Sequence, residues 1–252
     1  MSLVTFSTCE SVAIVKMNRP EKLNAISVEM IQELSSVFNN LEMDDSVKVI
    51  ILTGEGRAFS AGADIEYMAN LTPPEAVEYA KLGQILSSKI ENCSKPTIAA
   101  INGYALAGGV ELTLAFDIRI ASENARFGQT EVTIGASPFF GGSQRLQRVI
   151  GFAKAKEMIF TGRQITANEA KEIGLVNQVV PLSSIMEEAI KMANMIANNS
   201  FMAVKMSKVA INKGRDTDIE TGLAVELYTW GLCCSHPERT QRMSAFLQRS
   251  KK

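Results

Sequence analysis

The chain has 252 residues, with 26 Lys and Arg, 27 Asp and Glu, one His and a formal net charge of −1. This near-neutral balance argues against a protein that binds nucleic acid mainly by electrostatic attraction. Hydrophobic residues make up 46% and charged residues 21%, a globular rather than a disordered composition. A single His argues against a His-rich metal site or a Ser-His-Asp triad, so carboxylates and backbone groups are the expected chemical groups.

The cysteines predict reduced thiols. Cys9, Cys93, Cys233 and Cys234 contain no Cys-x-x-Cys pair and no metal-ligand spacing, so we expect no metal site. The N-terminus lacks the basic segment and apolar run of a signal peptide, and the expected location is cytoplasmic. The longest apolar stretch, residues 103–116, is interrupted by glycines and Glu111 and is too short for a membrane span.

Strand and helix patterns alternate from the N-terminus. Residues 12–17 are a β-rich run, and residues 47–52 are almost continuously apolar, as in a strand that is covered on both faces. Between them, apolar residues recur at helical spacing: Ile26, Met30, Leu34, Val37, Phe38 and Leu41. Further strands are predicted at 96–101 and 117–122, with a short helix opening at Gly108 between them.

Helix starts are marked by capping boxes, in which a Ser or Thr precedes a Glu by three positions. They are Thr72 with Glu75, Thr166 with Glu169, and Ser184 with Glu187. The alternation of strands and helices predicts an α/β fold with parallel crossovers. After about residue 182 the pattern is helix after helix. We therefore divide the chain into a core at 1–190 and a helical region at 191–252, which packs on the core or on a neighbouring subunit.

A first glycine-rich loop, GEGRAFSAGAD at 54–64, follows the apolar strand. Its opening is similar to a dinucleotide fingerprint, but Phe59 stands where the third glycine is needed, which disfavours a Rossmann site. Two interpretations remain open. The segment is a tight connecting loop, or its small residues Ala61, Gly62 and Ala63 let a ligand approach a free backbone N–H.

A second loop, NGYALAGGVE at 102–111, places Gly108 and Gly109 between a strand and a helix. The glycines either expose N–H groups that favour negative charge at the helix N-terminus or allow close helix–strand packing. Glu111 follows within about one turn, among apolar residues, where burial is costly unless the carboxylate is paired or functional. The alternative is that Glu111 points to solvent or caps the first turn.

Glu131 ends the segment ARFGQTE at 125–131 and would by itself be an ordinary loop acid. Brought together with Glu111 and two N–H donors, it would complete an acid/base site beside an oxyanion hole.

Seven segments, taken in order, carry a family resemblance over nearly the whole chain. They are NRPEKLNA at 18–25, FSAGADI at 59–65, NGYALAGGVEL at 102–112, ARFGQTE at 125–131, GGSQR at 141–145, FTG at 160–162 and AKEIGLV at 170–176. The chain thus resembles the enoyl-CoA hydratase/isomerase (crotonase) superfamily. The resemblance implies a crotonase-like spiral of ββα units, with a C-terminal helical region used for trimer assembly, and a homo-oligomer that is a trimer or a dimer of trimers.

The resemblance also implies an acyl-CoA thioester as substrate and no cofactor, since CoA is part of that substrate. It assigns the thioester oxygen to the N–H groups of Ala63 and Gly108. The remaining residues expected to bind substrate lie in four segments: Lys22 and Ala25; Ala61, Gly62, Asp64 and Ile65; Gly109; and Pro138 with Phe139.

The presence of both glutamates favours hydratase chemistry, because isomerases of the superfamily often retain only the second. The resemblance implies addition of water across the 2,3 double bond of a short-chain trans-2-enoyl-CoA to give a 3-hydroxyacyl-CoA. Glu111 would activate the water for attack on C3, and Glu131 would deliver the proton to C2. The alternative is another reaction of the family, catalysed by an isomerase, a decarboxylase or a hydrolase.

The sequence departs from the family pattern after Glu131. Many family hydratases have Pro-Gly-x-Gly-Gly there, whereas this chain has Pro138, two phenylalanines and two glycines. Phe139 therefore replaces a glycine beside the expected acyl pocket. Its ring either shrinks that pocket or turns into the core. Ala107, which replaces a third glycine in the second loop, is expected to matter little.

Two further classes remain as alternatives. RNA-binding relatives carry a lysine-rich helix where this chain has Glu29, Glu33 and Glu42, and this acidic face argues against RNA binding. A scaffold that only assembles through its C-terminal helices would not be stabilised by CoA thioesters.

Overall fold

A computed structural model describes residues 2–249 of the chain. The strands are β1 (Val4–Cys9), β2 (Val12–Met17), β3 (Val49–Gly54), β4 (Ala58–Ser60), β5 (Thr97–Ile101), β6 (Tyr104–Leu106), β7 (Ile118–Ser122), β8 (Arg126–Gly128), β9 (Ile165–Thr166) and β10 (Gln178–Val180). The α-helices are α1 (Val28–Met43), α2 (Ile65–Met68), α3 (Pro73–Glu91), α4 (Gly108–Thr113), α5 (Gly142–Ile150), α6 (Phe152–Thr161), α7 (Ala167–Glu172), α8 (Ile185–Ala197), α9 (Phe201–Gly214), α10 (Ile219–Ser235) and α11 (Pro237–Arg249).

The larger sheet has six strands in the order β1-β2-β3-β5-β7-β10. β1 and β2 form an antiparallel hairpin, and the other neighbours pair in parallel. β3 is buried along its whole length, as its apolar composition predicts. Ile50 and Leu52 face the main core, whereas Val49 and Ile51 belong to a second apolar cluster that includes α8. Both faces of the sheet are therefore covered.

The predicted spiral of ββα units is confirmed. β3, β5 and β7 lie in the larger sheet, and each is followed by a short strand in a second sheet of order β4-β6-β8-β9 and then by helical structure. β4, β6 and β8 lie in segments where the sequence predicts loops. Each has only three residues, too few to show the alternation that identifies a strand.

The short strands bring the two glycine-rich loops together. β4 pairs with β6 and β6 pairs with β8, both in parallel. Segments that follow parallel strands emerge at the same edge of a sheet. Residues 61–64, 107–109 and 129–131 therefore lie along one edge, although they are far apart in sequence.

The predicted capping boxes differ in outcome. At the start of α3, the backbone N–H and the hydroxyl of Thr72 both donate to Glu75 Oε2, at 2.8 and 2.6 Å, and this helix start is confirmed. At α7 the Thr166 hydroxyl accepts from the Glu169 N–H at 3.2 Å. At Ser184 the predicted helix start is confirmed, because α8 begins at Ile185, but the predicted capping hydrogen bonds are not formed. The Ser184 hydroxyl instead donates to the carbonyl of Pro181, three residues earlier, at 3.1 Å.

The helices at the C-terminus pack differently from one another. α8 spans the predicted division at residue 190, and it buries Ile185, Ala189, Ala193 and Ala197 in the second apolar cluster. Within α9 and α10, Thr229 is the buried residue. Large apolar side chains of this part are exposed: Ile211, Ile219, Leu223, Leu227, Tyr228 and Trp230. Across residues 2–249, no helix combines the length and apolar character needed to cross a membrane.

Candidate active site

Two backbone N–H groups lie side by side where the glycine-rich loops meet. Ala63 forms an isolated parallel β-bridge with Ile26. A Cβ atom built on Gly108 would lie 3.4 Å from the Ala63 nitrogen, so the two residues are adjacent. In the hydrogen-bond network of residues 2–249, neither the Ala63 N–H nor the Gly108 N–H has an acceptor. Both are buried or half-buried. Two unpaired donors at this spacing can serve one oxygen of a ligand.

The backbone around these donors requires small residues. Gly62 has a φ of +105°, and a Cβ there would come within 2.9 Å of the Leu106 carbonyl oxygen and of the Ala107 Cβ. Ala107 itself has a φ of +48°, a region that favours glycine. Ala107 thus holds a strained backbone conformation beside the Gly108 donor, which the sequence did not indicate.

Gly108 and Gly109 of the second loop have different structural roles. A Cβ on Gly109 would lie 2.3 Å from the Ser60 carbonyl oxygen, so Gly109 permits α4 to approach β4. Gly108 supplies the unpaired N–H. The packing interpretation thus holds for Gly109, and the donor interpretation remains available for Gly108.

Glu111 is fully buried in α4, which excludes the solvent-facing alternative. Its Oε1 accepts from the backbone N–H groups of Phe140 and Gly142, at 2.9 and 2.6 Å. A Cβ on Gly142 would lie 2.8 Å from this oxygen, so only glycine allows the approach. Oε2 of Glu111 has no hydrogen-bond partner among the described residues.

Glu131 is 2% exposed and opens a 3₁₀ turn directly after β8. Its Oε1 accepts from Gln129 Nε2 at 2.7 Å, and its Oε2, like that of Glu111, is buried without a partner in residues 2–249. A Cβ on Gly142 would lie 3.0 Å from Gln129 Nε2 and 2.8 Å from Glu111 Oε1. The two carboxyl groups are therefore neighbours.

The pKa of both carboxyl groups is raised. Burial is the main cause for Glu111, followed by the negative charge of Glu131, and the N–H groups of Gly142 and Phe140 oppose the rise. Burial also raises the pKa of Glu131, and the hydrogen bond that its carboxylate accepts from Gln129 opposes this rise. Two carboxyl groups that share one buried site tend to retain a proton between them. The pair can therefore both accept and donate a proton near neutral pH.

The predicted CoA-binding segment lies beside the donors. Asp64 caps α2 by accepting from the N–H groups of Glu66 and Tyr67, and it pairs with Arg19 at 2.6 Å. Burial would raise the pKa of Asp64, but these hydrogen bonds and the Arg19 charge lower it. Lys22 pairs with Glu66 at 2.6 Å. The side chains of Lys22 and Asp64 are thus already engaged.

The other residues predicted to bind substrate lie nearby. Ala61 donates its N–H to the Leu23 carbonyl at 2.9 Å, which joins its loop to the segment that carries half-buried Ala25. Ile65 is 60% exposed at the start of α2. Pro138 is half-buried in the segment before α5. In residues 2–249, no three His, Cys, Asp or Glu side chains are placed to hold a metal ion.

Phe139 and Phe140 belong to an aromatic cluster that also contains Tyr67 and Tyr79. Phe139 is half-buried, with ring centroids 5.9 Å from Tyr79 and 4.6 Å from Phe140. Phe140 is 2% exposed. A Cβ on Gly83 would overlap its ring, and one on Gly108 would lie 3.0 Å from it. The ring that contacts a donor residue is thus Phe140.

Phe139 packs against the core, which agrees with the second of its two interpretations. A cavity of about 480 Å³ lies against Tyr67 and Tyr79 at the edge of the aromatic cluster.

The structure brings Ala63, Gly108, Glu111 and Glu131 to one place. Sequence reasoning missed Gln129, Phe140 and Gly142 as partners of the carboxyl groups. Gln129 lies two residues before Glu131 in the segment ARFGQTE, so its closeness in sequence could have indicated a partner for Glu131. The role of Gly142 rests on a contact across 31 residues and has no local signal.

Comparison with known proteins agrees with this geometry. The family model described as enoyl-CoA hydratase/isomerase matches residues 7–252. A short-chain-enoyl-CoA hydratase of Clostridium acetobutylicum is 46% identical over 95% of this chain and 92% of its own length. A crotonyl-CoA hydratase of Syntrophomonas wolfei is 42% identical over 96% of this chain and 94% of its own length.

Solved structures of enoyl-CoA hydratases have the same fold as this chain. The crystal structure of an enoyl-CoA hydratase from Bacillus anthracis superposes with a TM-score of 0.95 at 38% identity, covering 98% of this chain and 96% of that chain. A Geobacillus kaustophilus enoyl-CoA hydratase structure has a TM-score of 0.94 at 36% identity, covering 98% and 95%. The chain belongs to the enoyl-CoA hydratase/isomerase family.

Proposed function

We propose that this protein is an enoyl-CoA hydratase that adds water across the 2,3 double bond of a short-chain trans-2-enoyl-CoA. One observation carries the proposal: Glu111 and Glu131 are both buried, and each leaves Oε2 without a partner among the described residues, beside two unpaired N–H groups. Two matched relatives, named short-chain-enoyl-CoA hydratase and crotonyl-CoA hydratase, support the choice of substrate class.

The thioester oxygen binds at the N–H groups of Ala63 and Gly108. Attack on C3 moves electrons toward that oxygen, which becomes enolate-like and gains negative charge. Donors fixed in a buried site stabilise this charge without reorganising, and each contributes about 3–4 kcal/mol to the transition state.

The carboxyl pair handles the water. In the reactive form of the pair, Glu111 is ionised and Glu131 is protonated. Burial raises the pKa of Glu111 to about 8, and the two backbone N–H groups that bond its Oε1 oppose this rise and favour the carboxylate. Its free Oε2 takes a proton from water as the water oxygen bonds to C3. Glu131 gives its proton to C2, and the proton taken from water passes across the pair to restore Glu131. The sum is one water added to the double bond.

The remaining predicted residues bind the rest of the substrate. Backbone groups of 61–65, with Lys22 and Ala25, lie along the CoA moiety. Gly109, Pro138 and Phe139 lie on the acyl side, with Phe140 as the ring that limits the space next to Gly108. CoA enters as part of the substrate, and the proposed reaction needs no separate cofactor.

Crotonyl-CoA hydration, followed by mass spectrometry of the 3-hydroxy product, tests the proposal. Glu111→Gln and Glu131→Gln keep the volume of each side chain and should each lower kcat by about 10²–10⁴-fold, the usual contribution of a general acid or base. Glu172→Gln, at an exposed position in α7, is the matched control and should leave turnover unchanged.

A panel of other acyl-CoA thioesters should be screened in parallel. Full hydratase activity in both glutamine variants would refute the proposed roles. Turnover of a non-hydratable thioester by Glu111→Gln would instead indicate another reaction of the family.

We also propose that the protein is a cytoplasmic homo-oligomer, a trimer or a dimer of trimers, assembled through 191–252. The exposed apolar side chains of α9 and α10 support this, since isolated proteins rarely expose apolar surface of this extent. The unpaired cysteines suit a reducing compartment. Light scattering should give three or six chain masses, and Leu227→Glu should reduce that mass, whereas a wild-type monomer would refute this assembly.

A further inference from the structure

The hydrogen bonds that orient Glu111 come from one short segment, residues 140–142, called here the 140–142 turn. The N–H groups of Phe140 and Gly142 both donate to Glu111 Oε1, at 2.9 and 2.6 Å. A shift of this turn would therefore move the carboxylate or break its hydrogen bonds. The question is what fixes the turn.

The guanidinium of Arg145, in the first turn of α5, lies directly under the 140–142 turn. Its Nη1 is 3.5 Å from the Phe140 carbonyl oxygen, and a Cβ on Gly141 would come within 2.2 Å of the same nitrogen. Gly141 has a φ of +114°, so the backbone curls over the guanidinium in a conformation that favours glycine. The 140–142 turn thus packs directly against the Arg145 guanidinium.

Glu91, at the end of α3, fixes Arg145 in place. Glu91 Oε2 accepts from Arg145 Nη2 at 2.9 Å and from Nε at 3.2 Å, and the two side chains are only 15% and 14% exposed. Burial alone would raise the pKa of Glu91, but the hydrogen bonds and charges of Arg145 and Arg215 lower it. Glu91 is therefore ionised at neutral pH and binds a planar cation in a single orientation.

We propose that the Glu91–Arg145 ion pair is a positioning device for Glu111, acting through the 140–142 turn. The inference rests on the proposed function for its catalytic meaning. Neither side chain is placed against substrate; both act on the donors that orient the catalytic carboxylate. Arg215, after α9, bonds the other oxygen of Glu91 at 2.8 Å, so the C-terminal helices also support this device.

Arg145→Lys tests the inference, because lysine keeps the charge but cannot present parallel N–H groups to Glu91 while lying under Gly141. Arg148→Lys is the matched control: it is the same substitution three residues along α5. The hydrogen bonds of the Arg148 guanidinium within residues 2–249 go to Asp216 and to the Gln144 carbonyl, not to residues 140–142. We expect Arg145→Lys to lower kcat for crotonyl-CoA by about tenfold or more with KM little changed, and Arg148→Lys to retain wild-type kcat.

The pH profile separates positioning from general loss of structure. The N–H groups of Phe140 and Gly142 lower the pKa of Glu111, so loosening them should move the acidic limb of the kcat profile to higher pH. A lower kcat with an unmoved limb, or equal losses in Arg145→Lys and Arg148→Lys, would overturn the inference. Glu91→Gln removes the charge from the other side of the pair and should move the limb in the same direction.

A readout that needs no activity completes the test. The gain in melting temperature produced by Glu111→Gln at pH 8 is measured in the wild-type and in the Arg145→Lys background. The inference expects a larger gain in the second, because ionised Glu111 there has lost its N–H partners. Equal gains would overturn it. A wild-type protein that fails to hydrate crotonyl-CoA would count against the proposed function, while this comparison still decides the role of Arg145.

Discussion

Two groups of carboxyl side chains in this molecule, one half-buried and one buried, have opposite electrostatic surroundings. Glu91 is flanked by Arg145 and Arg215, and its pKa is lowered. Glu111 and Glu131 are more deeply buried, have each other as charged neighbour, and have a raised pKa. The first group joins helices at low electrostatic cost. The second retains a proton at the expense of stability, which is the property that acid/base catalysis requires.

The largest effect on stability is expected when the Glu91 carboxylate is removed. Glu91→Ala leaves Arg145 and Arg215 partly buried without their shared partner, and breaking such a pair should reduce the free energy of unfolding by about 3 kcal/mol. Denaturant titration of the variant beside wild type measures this loss. A loss below about 0.5 kcal/mol, the size expected of a surface substitution, would place Glu91 among ordinary surface acids.

The pH dependence of stability should have opposite signs in the two groups. Ionised Glu91 stabilises the fold above its ordinary pKa of 4.5, and this contribution is lost as the pH falls, so Glu91→Gln should cost most at neutral pH and less in acid. The fold tolerates Glu111 best while its carboxyl is protonated. The stability that the protonated form contributes is lost as the pH rises from 4.5 through its raised pKa of about 8.

Glu111→Gln should therefore melt at an increasingly higher temperature than wild type as the pH rises from 5 to 8. The amide oxygen can still accept from Phe140 and Gly142, so the gain reports the removed charge. Melting curves of wild type and both variants in one buffer series provide the measurement. A parallel pH trend in the two variants would abolish the distinction between the groups.

The smallest effect concerns backbone strain at the site. Ala107 has a positive φ beside the Gly108 donor, so Ala107→Gly should stabilise the protein by about 1 kcal/mol at most, despite the extra freedom that glycine adds to the unfolded chain. A measured destabilisation would mean that the contact of the Ala107 methyl with Gly62 outweighs the strain.

Much of the site could be predicted from sequence, because it depends on local chemistry. Glu111 in an apolar run and paired glycines after a strand have a recognisable pattern. The resemblance to the family added the pairing of Glu111 with Glu131 and the choice of Ala63 and Gly108 as donors, and the structure brings these four residues together. The continuous apolar character of β3 predicted its double coverage. These features depend on residues within one or two turns of each other.

The features that escaped prediction depend on distant contacts or on very short elements. β4, β6 and β8 are defined by pairing with one another rather than by periodicity. The ion pair of Glu91 and Arg145 joins residues 54 positions apart, and no local pattern reveals it. Phe139 attracted attention as a departure from the family pattern, but the ring against Gly83 and Gly108 is Phe140, since side-chain direction in an irregular segment is set by tertiary packing.

The spiral also divides the chemistry among its turns. In the proposed mechanism, the first unit supplies the Ala63 donor after β4, the second supplies Gly108 and Glu111 after β6, and the third supplies Glu131 after β8. Each unit is a contiguous stretch of chain, so a single substitution at the end of one short strand can alter proton transfer while the other units still bind the thioester. Such modularity would allow a lineage to acquire new reactions on CoA thioesters one turn at a time, without rebuilding the pocket.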